Sequence, residues 1–166
     1  MTRDGEHMRL ALAEAERAMA HGDVPVGAVA LLGEQIVATA HNEREMRQDP
    51  TAHAELLVLR EVAKESAAWR LDQTTVFVTL EPCPMCAGAL VAARVRRVVY
   101  GAADPRAGAC GSVYNICSDP RLNHEVEVVA GVFAQESAAL LQRFFAERRT
   151  APTPRPTAPT VTGLDR

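Results

Sequence analysis

Pro82-Cys83-Pro84-Met85-Cys86 sets two thiols three residues apart, directly after the β-rich run Val76–Leu80. A Cys-x-x-Cys turn that opens a helix lets two thiolates converge on one ion, and the free N–H groups of the helix start favour the thiolate form. Two ligands do not complete a zinc site. Upstream, His53-Ala54-Glu55 stands at the start of another expected helix. In mid-helix, residues two apart point to nearly opposite sides, whereas first-turn side chains can all lean toward a point just beyond the N-terminus. His53, Cys83 and Cys86 would then offer zinc one imidazole and two thiolates. A fourth position would remain for water, with Glu55 beside it, unligated, to move protons.

Other readings of the same residues stay open. A redox-active Cys-x-x-Cys needs only its thiols and gives His53 and Glu55 no role. A closed structural zinc site would draw a fourth ligand from Cys110, Cys117 or His124. His53, if it stood alone, would be a polar helix-start residue. Cys110 and Cys117 read as free, partly buried thiols that pack like small apolar side chains.

The elements that must position these groups alternate along the chain. Residues 6–21 carry Met8, Leu12, Ala15 and Met19 at helical spacing, with Gly22 placed for a C-cap. Val26–Leu32 and Gln35–Ala40 form a hairpin about Gly33-Glu34. A helix follows over DPTAHAELLVLREVAKE, with Asp49 or Thr51 as its cap and Pro50 in its first turn. Thr74–Leu80 is a third strand, Pro84–Ala93 a helix and Arg97–Gly101 a fourth strand. A Gly- and Ala-rich loop with a short helix is expected over 102–124, a fifth strand over Glu125–Val129 and a long helix over Phe133–Arg149. An opening hairpin followed by alternating strands and helices predicts an α/β fold, a five-stranded mixed sheet between helices in a three-layer α/β/α sandwich.

At 166 residues, with 48% hydrophobic and 23% charged residues, the chain suits one domain over 1–149. The stretch 150–166, rich in Pro and Thr, reads as a disordered tail. The N-terminal MTRDGEHMRL lacks the apolar core of a secretory signal, and no apolar run is long enough to span a bilayer. A cytoplasmic protein with reduced thiols and no membrane partner is expected. A net charge of −3 argues against a generally sticky nucleic-acid binder. It leaves room for local patches, and arginines cluster at Arg94, Arg96 and Arg97 and at Arg143, Arg148 and Arg149.

His53-x-Glu55 followed by Pro82-Cys83-x-x-Cys86 resembles the signature of the zinc-dependent, cytidine deaminase-like superfamily. PVGAV at 25–29, DPTAHAE at 49–55, VTLEPCPMCAGAL at 78–90, GAADPRAGACGS at 101–112 and the FF and RR pairs of 144–149 look, in this order, like the bacterial tRNA-specific adenosine deaminases. The resemblance covers roughly residues 5–149. It implies a homodimer with one zinc per subunit, held by His53, Cys83 and Cys86. The implied reaction is hydrolytic deamination of adenosine to inosine at the wobble position of an arginine tRNA anticodon, by zinc-activated hydroxide with Glu55 as proton shuttle.

It further implies that Asn42 and the backbone of Ala54 grip the base and its ribose. Asp104 and Arg106 would read neighbouring nucleotides of the anticodon stem-loop, and Phe144, Phe145, Arg148 and Arg149 would contact RNA from the last helix. Phe144 and Phe145 are adjacent and so point about 100° apart, which makes at least one of them core. A free nucleobase or nucleotide deaminase of the same superfamily, acting on guanine or cytosine, would share the zinc centre. A non-catalytic zinc-stabilised interaction module would saturate its metal with protein ligands.

Overall fold

The computed structural model describes residues 2–150; the tail expected over 150–166 lies, from 151 on, outside the described residues. The elements are α1 (Arg3–Met19), β1 (Gly27–Leu32), β2 (Gln35–His41), α2 (Arg44–Arg47), α3 (Ala54–Glu65), β3 (Thr74–Leu80), α4 (Pro84–Ala92), β4 (Arg97–Ala102), β5 (Glu127–Val129) and α5 (Ala134–Thr150). The strands form one mixed sheet in the order β2-β1-β3-β4-β5. β1 runs antiparallel to β2 and β3, while β3, β4 and β5 are mutually parallel.

Alternation of side chains along buried strands divides the core in two. Val29, Leu31, Phe77 and Val99 pack with Met8 and Ala11 of α1. Their neighbours in sequence, Ala28, Ala30, Val76, Val78 and Val98, point the other way. They pack with Val58 and Val62 of α3 and Leu90 of α4. α5 lies against β4 and alongside α1, so helices cover both faces, as expected of a three-layer α/β/α sandwich. α1 approaches β1 so closely that a Cβ on Gly27 would lie 2.0 Å from the carbonyl oxygen of Ala11.

Several expected boundaries differ. Asp49 and Thr51 do not cap α3. The Asp49 carboxylate instead accepts from the backbone N–H of Thr51 at 2.8 Å and from its hydroxyl at 2.7 Å. This closes a turn and moves the N-cap of α3 to His53. The single-turn α2 stands between the hairpin and α3, where no element was expected, its Glu45 and Met46 N–H groups bound by the buried Asp23. α1 ends at a C-cap on Ala20, two residues before Gly22. The short helix expected within 102–124 is absent among the described residues, which there form turns and an isolated bridge, Cys110 to Asn115. Its backbone donors go elsewhere, as the site shows.

The parallel strands β3 and β4 end together, Leu80 beside Ala102. The carboxyl ends of parallel strands in such sheets are where helices begin and ligands bind. α4 begins there after three residues, and the start of α3 lies next to it.

Candidate metal centre and substrate cleft

His53 and Cys83 are the N-cap residues of α3 and α4, both with extended backbone. Among the described residues neither side chain takes a cap bond from its own helix, so both turn into the gap between the two helix starts. Pro84 at the first position of α4 fixes the turn after Cys83 and costs no backbone hydrogen bond there. Cys86 follows one turn on, fully buried.

The Nδ1 atom of His53 lies 3.7 Å from Sγ of Cys83 and 3.6 Å from Sγ of Cys86. A tetrahedral zinc with N at ~2.0 Å and S at ~2.3 Å would set those edges at about 3.5 Å. The three atoms lie within 4.8 Å of one another and form the sole such His/Cys/Asp/Glu group among the described residues. All four cysteines are free. The residues present therefore fit a zinc-type ion by donor chemistry and by spacing.

The charges suit this too. Cys83 is pulled down to about 4, first by the hydrogen bond from Cys86 and then, against the cost of burial, by His53. Cys86 is pushed up, first by that same bond to the Cys83 thiolate and then by burial. His53 is raised, chiefly by its bond to Cys83. A cation among the three would draw the remaining protons off, because the thiolate and neutral imidazole forms are the ligands.

Glu55 occupies the first turn of α3, 4% exposed. Burial raises its pKa, with the His53 charge and its own backbone N–H opposing, and the carboxyl reaches the Cys86 thiol. It is a titratable group next to the candidate ligands and outside their group.

His53, Glu55 and Cys83 open onto a cleft of about 180 Å³ whose other walls include Asn42, Ala54 and Asp104. Asn42 is buried, donates from Nδ2 to the carbonyl of Val24 at 3.3 Å, and leaves Oδ1 without a partner among the described residues. Ala54 is fully buried at the base of α3. The cleft shares Val24, Leu80 and Asp104 with a groove of about 850 Å³, walled by Arg106, Leu141, Phe145, Arg148 and Arg149.

Phe145 is 45% exposed and Phe144 4%, so Phe144 is the core member of the pair and lies off the groove. Its ring instead carries the Arg148 guanidinium, 4.8 Å above it. Arg148 also bonds the Gly22 carbonyl, which ties α5 to the end of α1. Cys110 and Cys117 face each other at 3.5 Å, and His124 bonds the Val95 carbonyl. None of the three joins the metal group, so the closed zinc site loses its candidates for a fourth ligand.

Glu81 escaped the reading of the sequence. It lies between the end of β3 and Pro82, is 2% exposed, and lines the cleft. Burial opposes its charge most, but bonds from the Ser112 hydroxyl and from the N–H groups of Asp104, Ser112 and Cys110 hold its pKa below the usual carboxylate value. The available signal was a carboxylate directly between the β-branched run of β3 and Pro82.

The profile of the MafB19-like deaminase family matches residues 2–149. The tRNA-specific adenosine deaminase of Bacillus subtilis (strain 168) is 48% identical over 149 residues, 90% of this chain and 92% of the relative. That of Haemophilus influenzae (strain Rd) is 44% identical, over 88% of this chain and 85% of the relative. A solved structure from a study of A-to-I editing by tRNA:A34 deaminases at the wobble position of transfer RNA superimposes with a TM-score of 0.79. It is 41% identical and covers 82% of this chain and 99% of its own. With matching sequence, fold and His/Cys/Cys group, the chain belongs to the MafB19-like deaminases and, among them, to the family of the tRNA-specific adenosine deaminases.

Proposed function

We propose that this chain, through residues 1–149, deaminates adenosine to inosine at the wobble position of a tRNA anticodon, an arginine tRNA in the first instance. It does so as a cytoplasmic homodimer with one zinc per subunit. The observation that carries this is the buried Glu55 beside the His53, Cys83 and Cys86 group, at the inner end of a cleft that widens into an arginine-flanked groove.

His53, Cys83 and Cys86 hold the metal. Zinc bound there would supply a Lewis acid that lowers the pKa of water toward neutral. Glu55 takes the proton of the attacking water on its carboxylate and delivers it to N1 of the adenine ring, beside the carbon that is attacked. It then moves a proton to the leaving amino group, so adenosine and water become inosine and ammonia. Its burial raises its pKa and so favours the step in which the carboxylate takes the proton from water.

Asn42 Oδ1, a buried acceptor without a partner among the described residues, receives a donor from the bound nucleoside. The backbone of Ala54 lines the same wall and holds the base. Asp104 and Arg106 read flanking nucleotides along the groove. Phe145 offers an exposed ring for stacking, and Arg148 and Arg149 contact phosphate. Phe144 supports this surface from beneath.

The test compares a minimal anticodon stem-loop with free adenosine, guanine and cytidine as substrates of the zinc-loaded protein. Inosine from the stem-loop at a kcat/KM far above that of every free compound is expected. Turnover of a free base alone would overturn the reading.

A further inference from the structure

Glu81 sits two residues before Cys83, just past the end of β3, yet its carboxylate serves a different segment. Oε2 accepts from the N–H of Asp104 at 2.9 Å and from the Ser112 hydroxyl. Oε1 accepts from the N–H groups of Cys110 and Ser112, each at 3.0 Å. One buried side chain thus satisfies the backbone at both ends of the segment 104–112. Gly108 lets that segment wrap around it, since a Cβ there would lie 2.3 Å from Oε2. From Asp104 the chain of bonds continues outward. Its Oδ1 accepts from the N–H groups of Arg106 at 2.9 Å and Ala107 at 3.2 Å. Ala107 lines the cleft and Arg106 the groove. On the other side, the N–H of Ala109 bonds the Pro82 carbonyl at 2.8 Å.

We propose that Glu81 is a positioning residue for substrate selection: by fixing the segment 104–112 against the Pro82-Cys83 turn, it sets how the nucleotides flanking the reacting adenosine are read. This rests on the RNA reading above. The carboxylate is suited to the task because it accepts four bonds and donates none, so the segment has a single satisfied arrangement around it. Glu81→Gln keeps the volume and one acceptor oxygen, but turns an NH₂ group toward the Asp104 N–H, donor against donor.

The test measures kcat and KM for the anticodon stem-loop and for stem-loops altered at one flanking nucleotide, with zinc content measured in parallel. Glu81→Gln is expected to keep its zinc, to hold kcat within about threefold, and to raise KM about tenfold, the scale of one lost charged hydrogen bond. The ratio of kcat/KM between parental and altered stem-loops should fall toward one. Ser112→Ala, which removes only the hydroxyl bond, should move both quantities the same way by about threefold. It decides the matter if Glu81→Gln does not fold.

A discrimination ratio unchanged in both variants overturns the proposal, as does loss of zinc or kcat with discrimination intact. An active parent that does not discriminate overturns it equally. A parent inactive on every stem-loop overturns the functional reading, and this proposal with it.

Discussion

The Nδ1 atom of His53 lies 3.6 Å from Sγ of Cys86, though 33 residues separate them in the chain. The contact joins the starts of α3 and α4, which share one face of the sheet. An ion bound there ties two helix N-termini together, so metal and fold are coupled.

Cys86→Ala or His53→Ala is therefore expected to lose zinc and to lower the melting temperature by about 5 °C or more. A strong chelator should lower the parent's melting temperature and leave those of the variants unchanged. Elemental analysis and calorimetry check this. Stoichiometric zinc in either variant would remove it from the ligand set.

Cys110 and Cys117 are buried, 3.5 Å apart, and outside the metal group. Replacing each by Ala should cost about 1 kcal/mol through lost packing while zinc content and turnover stay near the parent's. Denaturant unfolding and metal analysis separate the two effects. Zinc loss would revive the closed-site reading.

Asn42→Ala removes the buried acceptor from the cleft wall. A fall of about 10- to 100-fold in kcat/KM on the stem-loop is expected, with kcat sharing in it, because a base misplaced against the attacking water weakens the transition state. Unchanged steady-state kinetics would show that Asn42 does not touch the nucleoside.

Arg97 forks onto Asp4 with bonds of 2.9 and 2.8 Å and so fastens the start of α1 to β4. The Arg97 hydrogen bonds hold the Asp4 carboxyl below its ordinary value of 3.8. A carboxylate depressed on folding stabilises fully above the unfolded value and loses that contribution as pH falls through the folded one. Asp4→Asn should thus be less stable than the parent by about 1 kcal/mol at neutral pH. The gap should hold down to about pH 4 and close below it. Denaturant midpoints from pH 7 to pH 2.5 measure this, and a gap that widens in acid would contradict it.

What could be read in the chain was what local spacing encodes. β3 was legible because both of its faces are buried and its β-branched run is bounded by a Pro-Cys turn. His53, Glu55, Cys83 and Cys86 were legible because His-x-Glu and Cys-x-x-Cys each lie within one helix start. The start of α3 was misread because Asp and Thr serve a turn as readily as a cap. A short helix was expected within 102–124, and the turns found there instead over 104–112 were not legible because their organiser, Glu81, lies 23 residues before its first bonded partner. Which of Phe144 and Phe145 faces the groove depends on the rotation of α5 against the sheet, and no pattern within two adjacent residues sets that.

The proposed function turns on Glu55, which lies buried beside the candidate ligands His53, Cys83 and Cys86 without belonging to that group. The direct measurement pairs metal analysis with nucleoside analysis of an arginine tRNA anticodon stem-loop after incubation with the parent and with Glu55→Gln. The parent should hold about one zinc per chain and convert the wobble adenosine to inosine, and the variant should hold the same zinc and form almost none. Inosine formation by Glu55→Gln at close to the parent's rate, or its absence with a fully zinc-loaded parent, would contradict the assignment.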